Sequence, residues 1–223
     1  MHKAVALAVA VEKIPDGASL LIGGFMGVGS PHRLIGELIR QGRKNLTVIA
    51  NDTARPGFGI GRLIDAKAVN QLVVSHIGTN PETQRQMIAG ETAVELCPQG
   101  TLAERIRAAG YGLGGVLTPT GVGTIVSDKA REIDVLGKRF LLELPISADF
   151  ALLAAHRADY YGNLDYALTA RNFNPIMAGG YHSDRRGRGN CSRRRDSTGR
   201  GGDSIRARGL PGCQGKNQWT LKN

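Results

Sequence analysis

The sequence predicts an α/β fold, built on an open and mostly parallel sheet with helices on both faces. Three observations support this prediction. Short continuous apolar segments alternate with amphipathic stretches of about ten residues, glycine-rich turns separate them, and the pattern recurs through residues 1–177. Strand–helix–strand units of this kind form parallel crossovers, and continuously apolar strands are typical of a sheet that is covered on both sides.

The first strand and helix carry the clearest signals. Residues 19–24 form a short apolar segment after a turn at 15–17, as expected of a buried strand. Ser30 is placed to cap the following helix, with Pro31 at the first helical position and Gly42 at the end. The same pattern then predicts, in order, strand 46–50, helix 59–66, strand 71–75, helix 81–89 and strand 93–97.

Later elements are predicted from shorter signals. Thr101 and Glu104 have the spacing of a capping box, which predicts that a helix opens there. Residues 132–135 and 139–144 flank a short turn and predict a β-hairpin on the edge of the sheet. The apolar run at 150–155 predicts one further strand.

The positive charge of the chain is concentrated in its last part. The net charge is +10, from 29 Lys and Arg against 19 Asp and Glu, and +8 of it belongs to residues 178–223. The first 177 residues are nearly neutral, so they give no electrostatic reason to expect a nucleic-acid partner. The sequence therefore divides into a domain at 1–177 and an Arg/Gly-rich tail at 178–223.

Composition excludes several classes of protein. No apolar run approaches the roughly 18 residues that a membrane-spanning helix requires. Three cysteines without a CxxC pair are too few and too scattered for a disulfide scaffold or a zinc site. We expect a cytoplasmic protein that has no metal site and no permanently bound cofactor.

The tail has three interpretations, all of which remain open. Its arginine runs are typical of an arm that binds nucleic-acid phosphates, and its low apolar content is equally typical of a disordered, solvated tail. The third interpretation is an out-of-frame translation of a GC-rich gene. Read one nucleotide later, the codons of Tyr181, His182 and Asp184 encode only Thr or Ile. Residues 181–187 then permit Thr-Ile-Val-Thr-Ala-Glu-Glu, a strand followed by an acidic stretch.

The loops after the predicted strands carry the candidate binding residues, because ligands of open α/β sheets lie beyond the carboxyl ends of the strands. The first loop leads into a helix N-terminus, which offers amide groups to an anion such as a phosphate. Its residues are Gly23, Gly24, Phe25, Met26, Gly27, Val28 and Gly29. Asn51 and Gln99 follow two other strands. A second glycine-dense loop contains Thr118, Thr120, Gly121 and Gly123.

The sequence shows no complete motif for binding a dinucleotide, a nucleoside triphosphate or a metal ion. His32 stands where a GxGxxG dinucleotide motif requires glycine, and no P-loop sequence occurs. His76 and His156 do not have the spacing of metal ligands, and Cys97 is expected to be a buried, inert thiol. No pair of nucleophile and base stands out in the sequence.

Several of these segments together resemble the α subunits of family I CoA-transferases, in particular those of the acetate and acetoacetate type. The signature runs from Asp16-Gly17 through Leu20-Leu21-Ile22-Gly23-Gly24-Phe25 to Gly29 and Pro31. The resemblance continues through segments 50–53, 75–82, 98–101, 118–124 and 170–175. It stops after residue 175, close to the change in composition.

The resemblance implies an enzyme that moves CoA from an acyl-CoA to a carboxylic acid through a glutamyl-CoA thioester. It implies that this glutamate lies on a β subunit, in an α2β2 complex, so that no catalytic residue is expected in this chain. It also implies that CoA is a substrate. In this chain it implies that loop 23–29 binds CoA, while Asn51, Gln99 and Gly100 stabilise oxyanions. Two other functions remain open: a sugar-phosphate isomerase of similar fold, which needs an acid–base pair, and nucleic-acid binding by the tail.

Overall fold

A computed structural model describes residues 4–159, 161–180, 202–207 and 218–221 of the chain. The strands in these ranges are, in chain order, β1 (Ala4–Val5), β2 (Ser19–Ile22), β3 (Leu46–Asp52), β4 (Val69–His76), β5 (Ala93–Leu96), β6 (Val116–Thr118), β7 (Arg131–Val135), β8 (Lys138–Glu143), β9 (Phe150–Ala155), β10 (Arg157–Ala158), β11 (Leu164–Asp165), β12 (Gly202–Ala207) and β13 (Gln218–Leu221). The α-helices are α1 (Leu7–Glu12), α2 (His32–Arg40), α3 (Gly61–Asp65), α4 (Pro81–Ile88), α5 (Gln99–Tyr111) and α6 (Asn174–Gly180).

The main sheet has the strand order β1-β13-β12-β9-β2-β3-β4-β5. Its five strands from β9 to β5 all run parallel to their neighbours, whereas β12 is antiparallel to both β9 and β13. The predicted α/β fold with a mostly parallel sheet is therefore confirmed. Among the described residues, no helix is both long enough and apolar enough to cross a membrane.

Helices cover both faces of this sheet, and the strands supply a core to each face. Leu20 and Ile22 of β2 point into one core, with the buried side chains of α1, α2 and α3, while Leu21 points into the other, with α5 and α6. This alternation is the period-two geometry of a strand. The first predicted strand thus lies where two layers of helices protect it.

Two segments of the predicted tail, Gly202–Ala207 and Gln218–Leu221, are strands of the main sheet, where the sequence suggests no regular structure. The first of them pairs with β9 along its whole length, from Ala207 opposite Phe150 to Gly202 opposite Ala155. The arginine runs of the tail lie outside the described residues. The division of the chain at residue 177 stays a prediction.

The predicted hairpin is present, but it does not lie on the edge of the main sheet. Strands β7 and β8 pair with each other, and β8 also pairs with β6, so that the three form a separate antiparallel sheet in the order β6-β8-β7. Leu136 and Gly137 form its turn with φ angles of 53° and 76°. The sequence signal identified the hairpin correctly because turn chemistry is local, whereas its packing partner is not.

Both predicted helix caps are wrong. Helix α5 begins at Gln99, directly after Pro98, so Thr101 lies inside the first turn and Glu104 pairs with Arg107 instead. Helix α2 begins at His32, and Pro31 precedes it without a side-chain cap. In both cases a proline at the helix boundary fixes the start, because its φ angle suits a helix entry and it has no amide to satisfy.

Candidate active site

Three polar side chains meet at the carboxyl edge of the sheet, as the sequence predicts for two of them. Asn51 lies in β3, Ser75 lies in the neighbouring β4, and Gln99 opens α5 just beyond β5. The Nε2 of Gln99 donates to Oδ1 of Asn51 at 2.6 Å, and the hydroxyl of Ser75 donates to the same oxygen at 3.1 Å. The hydroxyl of Ser75 also bonds the backbone carbonyl of Asn51 at 2.7 Å.

A buried carboxylate, which the sequence pattern did not identify, fixes the orientation of the Asn51 and Gln99 amides. Asp52 is 3% exposed and accepts hydrogen bonds from Nδ2 of Asn51 at 2.7 Å and from the amide of Ala54 at 2.7 Å. Because an ionised carboxylate only accepts, the nitrogen of Asn51 must face it and the oxygen must face Gln99. The sequence signal that could have identified Asp52 is its position beside Asn51 at the end of an apolar strand.

The loop of residues 23–29, which we call the glycine loop, closes on itself as a tight hairpin. Phe25 and Val28 exchange both backbone hydrogen bonds, at 3.0 and 2.9 Å. Met26 lies between them at φ 52°, and its amide donates to the carboxylate of Asp52 at 2.8 Å. Asp52 therefore joins the glycine loop to the Asn51–Gln99 pair.

Several glycines of this loop are required by packing. Gly27 has φ 84°, and a Cβ atom there would overlap the ring of Phe58. A Cβ atom on Gly23 would overlap the side chain of Asn174, which is fully buried. Asn174 in turn donates to the carbonyl of Gly29 at 2.9 Å and accepts from the amide of Ala154 at 3.1 Å.

A second asparagine, Asn172, donates to the carbonyl of Val28 at 2.9 Å. Asn172 and Asn174, which lie far from the glycine loop in the sequence, therefore both bind its backbone. Both lie in the 170–175 motif, but their contacts span about 145 positions, and local patterns carry no information about such pairs.

Some backbone amides of the glycine loop already donate within the protein and cannot bind an anion. The amide of Ser30 donates to Gly27 and that of Gly23 donates to Leu152, at 3.3 and 2.9 Å. Among the described residues, no acceptor faces the amides of Gly24, Gly27 and Gly29. Gly24 and Gly27 are buried and Gly29 is partly exposed, so of these three residues Gly29 is the one that reaches the surface. Phe25 and Val28 are 45% and 48% exposed at the tip of the loop.

The second predicted loop divides into two parts. Thr118 and Thr120 line a cavity of about 480 Å³ together with Gly100. Gly121 and Gly123 instead form a turn, with φ angles of 93° and 75°. The carbonyl of Gly121 accepts from the hydroxyls of two following residues within that turn. Only the two threonines therefore lie beside a predicted site residue.

His32 and Cys97 have structural contacts. Nε2 of His32 lies 3.1 Å from the carbonyl oxygen of Gly27, and its ring packs against Phe58. Burial raises the pKa of the Cys97 thiol, and the guanidinium of Arg105, 3.6 Å away, opposes this shift. A raised pKa makes the thiolate scarce at neutral pH, as expected of an inert thiol. Within the described part of the chain, no group of three His, Cys, Asp or Glu side chains is arranged to hold a metal ion.

Comparison with known proteins decides the family. The sequence profile of the family described as Coenzyme A transferase matches residues 4–183. The chain belongs to the coenzyme A transferase family. The resemblance seen in the sequence is therefore confirmed over nearly all of residues 1–177.

Two relatives of this coenzyme A transferase chain are named as CoA-transferase alpha subunits. It is 56% identical over 163 residues to the acetate CoA-transferase subunit alpha of Escherichia coli K12, a match that covers 73% of this chain and 74% of that protein. It is 50% identical to the acetoacetyl-CoA:acetate/butyrate CoA transferase alpha subunit of Clostridium acetobutylicum, with 73% and 75% covered.

Solved structures add the fold. The decarboxylase AibA/AibB variant is 29% identical, with a TM-score of 0.68 over 82% of this chain and 73% of that chain. Glutaconate coenzyme A-transferase from Acidaminococcus fermentans is 20% identical, with a TM-score of 0.69 over 81% and 65%. The second likeness establishes that the two chains share a fold.

Proposed function

We propose that this chain is the α subunit of a cytoplasmic CoA-transferase, which moves CoA between a short-chain acyl-CoA and an acetate- or acetoacetate-type carboxylic acid. The observation that carries the proposal is the 56% identity to an acetate CoA-transferase subunit alpha over 163 residues. The site geometry supports it, because two carboxamides meet at the carboxyl edge of the sheet and no activated nucleophile lies beside them among the described residues. CoA enters as a substrate.

In the proposed reaction, a glutamate carboxylate of the β subunit attacks the acyl-CoA thioester. The carbon–sulfur bond breaks, which leaves an acyl-glutamyl anhydride and CoA thiolate. The thiolate then attacks the glutamyl carbonyl, forms glutamyl-CoA and releases the first carboxylate. A second carboxylate repeats these two steps in reverse, and the glutamate is regenerated.

The Asn51–Gln99 pair would stabilise the oxyanions of these steps. One hydrogen of the Gln99 amide is held by Asn51 at 2.6 Å, which orients the group and leaves the second hydrogen for a ligand. The backbone amide of Gly100 lies at the start of α5, where the helix dipole favours negative charge. Loss of one donor of this kind costs about 3 kcal/mol of transition-state stabilisation.

The glycine loop would bind CoA. The amide of the partly exposed Gly29, which has no acceptor among the described residues, suits a phosphate. The exposed Phe25 and Val28 suit the apolar parts of CoA. Binding energy from this remote part of the substrate contributes to the rate, because it can be used to strain the reacting thioester.

The partner would be a β subunit, in an α2β2 complex. The relatives are themselves named alpha subunits, and the absence of an activated nucleophile near Asn51 in the described residues supports a division of labour. The chain alone should therefore be inactive, and mixing it with its β subunit should restore CoA transfer.

We further infer that the sequence beyond about residue 180 is translated out of frame. The family match ends at 183, the composition changes beyond 177, and the codons of residues 181–187, read one nucleotide later, permit a strand followed by an acidic stretch. Sequencing of the gene across codons 176–182 tests this inference. A single-base shift that restores Thr-Ile-Val-Thr supports it, whereas an intact frame in independent isolates overturns it.

The proposed function is tested by co-expression of the full chain with a CoA-transferase β subunit, followed by CoA transfer from acetoacetyl-CoA to acetate. Intact-mass spectrometry after exposure to acyl-CoA should find the CoA adduct on the β subunit and none on this chain. Gln99→Ala should lower kcat about 100-fold while the complex stays assembled. An adduct on this chain, or unchanged kinetics of Gln99→Ala, contradicts the assignment.

A further inference from the structure

Two neighbouring loops at the carboxyl edge of the sheet form one surface. The glycine loop follows β2 and closes on an isolated antiparallel bridge, and the loop after β3 closes in the same way, between Arg55 and Phe58. The ring of Phe58 occupies the space in front of Gly27, where a Cβ atom would overlap it. A Cβ atom on Gly59 would lie only 3.1 Å from the Cα atom of Gly27. A ligand that contacts the glycine loop is therefore next to the loop after β3.

Arg55 carries a positive charge on the loop after β3. The residue is exposed, and its guanidinium lies over the ring of Phe58, 5.2 Å from the ring centroid. Such a contact holds a guanidinium in place without neutralising its charge. Asp65, whose carboxylate reaches the same loop, accepts from the backbone amide of Gly57 at 2.7 Å. Among the described residues no acid forms an ion pair with Arg55, so its charge is available to an anionic ligand.

A second exposed arginine, Arg171, is also attached to the glycine loop. It ends a short 3-10 turn, Leu168–Arg171. The residue before it, Ala170, lies so close to Gly29 that a Cβ atom there would come within 2.7 Å of the Ala170 carbonyl oxygen. The residue after it, Asn172, donates to the carbonyl of Val28 at 2.9 Å. The backbone on both sides of Arg171 is therefore fixed against the glycine loop, and its guanidinium has no partner among the described residues.

Most other arginines in residues 4–159 and 161–180 have partners for their side chains. Six of them form ion pairs with acids, namely Arg40, Arg85, Arg105, Arg107, Arg139 and Arg157. Three more have other partners, namely Arg33, Arg43 and Arg62. The arginines that remain are Arg55, Arg131 and Arg171. Two of these three lie against the glycine loop, so unpaired positive charge is concentrated there.

Resting on the proposed CoA-transferase function, we propose that Arg55 and Arg171 bind the phosphate groups of the CoA substrate beside the glycine loop. A guanidinium presents several N–H donors in one plane together with a permanent charge, which suits phosphate oxygens. The partly exposed amide of Gly29 adds a further donor on the same surface. The two arginines contact the remote part of the substrate and not the reacting thioester, so they contribute binding energy and no chemical step.

Substrates that differ only in their phosphates test this assignment in the full α–β complex. Arg55→Gln and Arg171→Gln should each lower kcat/KM for acetoacetyl-CoA about 10-fold, because each removes one charge-assisted contact. The acetoacetyl thioester of pantetheine has no phosphate, so its kcat/KM should change less than about 2-fold. Gel filtration checks that both variants assemble with the β subunit. Equal losses for the two thioesters overturn the proposal.

Arg131→Gln is the matched control for the loss of a surface charge. Arg131 is exposed and has no ion pair among the described residues, but it begins β7 in the separate three-stranded sheet. The kcat/KM of this variant for acetoacetyl-CoA should stay within about 2-fold of that of the unchanged complex. A loss as large as that of Arg55→Gln would show a general effect of surface charge and overturn the proposal.

The acetoacetyl thioester of dephospho-CoA, which lacks the phosphate on the ribose, distinguishes the two phosphate positions of CoA. An arginine whose replacement no longer matters with this thioester binds the ribose phosphate. An arginine whose replacement lowers kcat/KM as much as before binds the diphosphate. Either result supports the proposal and assigns that arginine to one position.

Direct binding separates this proposal from the function on which it rests. The affinity of the complex for free CoA is measured by calorimetry, without turnover. CoA binding that Arg55→Gln or Arg171→Gln weakens, in a complex that transfers no CoA, supports the phosphate site and overturns the proposed function. CoA transfer whose kcat/KM neither variant changes supports the function and overturns the phosphate site.

Discussion

The carboxylate of Asp52 lies 2.8 Å from the amide nitrogen of Met26, and this contact joins strand β3 to the glycine loop. The same carboxylate accepts from the amide of Ala54. Met26 and Ala54 are both non-glycine residues with left-handed backbones, at φ 52° and 54°. One buried acid therefore holds two unfavourable backbone conformations in two neighbouring loops.

The first prediction concerns this acid. Asp52→Ala leaves three donors without an acceptor: the amides of Met26 and Ala54 and the side chain of Asn51. Each buried donor without a partner costs about 1–3 kcal/mol, so we expect the free energy of unfolding to fall by at least about 3 kcal/mol. Urea denaturation measures this change. Asp16→Ala is the control, because Asp16 accepts from one exposed backbone amide, and a loss as large there would contradict the special role of Asp52.

The second prediction separates two roles of a glycine. Gly27 has φ 84° and faces the ring of Phe58, whereas Gly17 has φ 77° and faces open space. Gly17→Ala should cost about 1–2 kcal/mol, the ordinary penalty of a left-handed residue with a side chain. Gly27→Ala should cost a further 1–3 kcal/mol, roughly the penalty of overpacking.

Thermal unfolding of both glycine variants provides the comparison. Phe58→Leu in the Gly27→Ala background should recover part of the additional loss, because it removes ring atoms from the overlap. Equal losses of stability for Gly17→Ala and Gly27→Ala would contradict this prediction, because they would show that the ring of Phe58 moves aside at no cost in free energy.

Much of the fold could be predicted because its signals are local. The run at 150–155 and strand β9 have the same bounds, and the turn of the β7–β8 hairpin is encoded by its own residues. Strand β3 extends two residues beyond its prediction, to Asp52. Asn51 and Asp52 interrupt the apolar pattern, but they do not end the strand. The strand continues through them because the buried amide of Asn51 and the carboxylate of Asp52 are hydrogen-bonded to each other.

The candidate site could be predicted only in part, for a physical reason. Position after a predicted strand identified both Asn51 and Gln99, and the structure brings the two together. Asp52 and Asn174 act through contacts with residues 26 and about 145 positions away. Such contacts depend on how the strands are ordered in the sheet, which the periodicity of a single sequence does not specify.

The third prediction concerns pH and a carboxylate on helix α2. Glu37 is 8% exposed and accepts from Nε of Arg40 at 2.8 Å and from Nε2 of Gln41 at 2.7 Å. The hydrogen bond from Arg40 is the main cause that lowers the pKa of Glu37 from 4.5 to about 2. The unfolded chain therefore binds more protons than the folded protein between these two values, so stability falls as the pH is lowered through that interval.

The contribution of Glu37 is complete above pH 4.5, and it is lost as the pH approaches about 2. Glu37→Gln should accordingly destabilise the protein at pH 7, and its difference from the unchanged protein should shrink steadily below pH 4.5. Urea denaturation at pH 7, 5, 4 and 3 measures this difference. Arg40→Gln removes the other partner and should show the same trend. A difference that stays constant over this range contradicts the paired carboxylate.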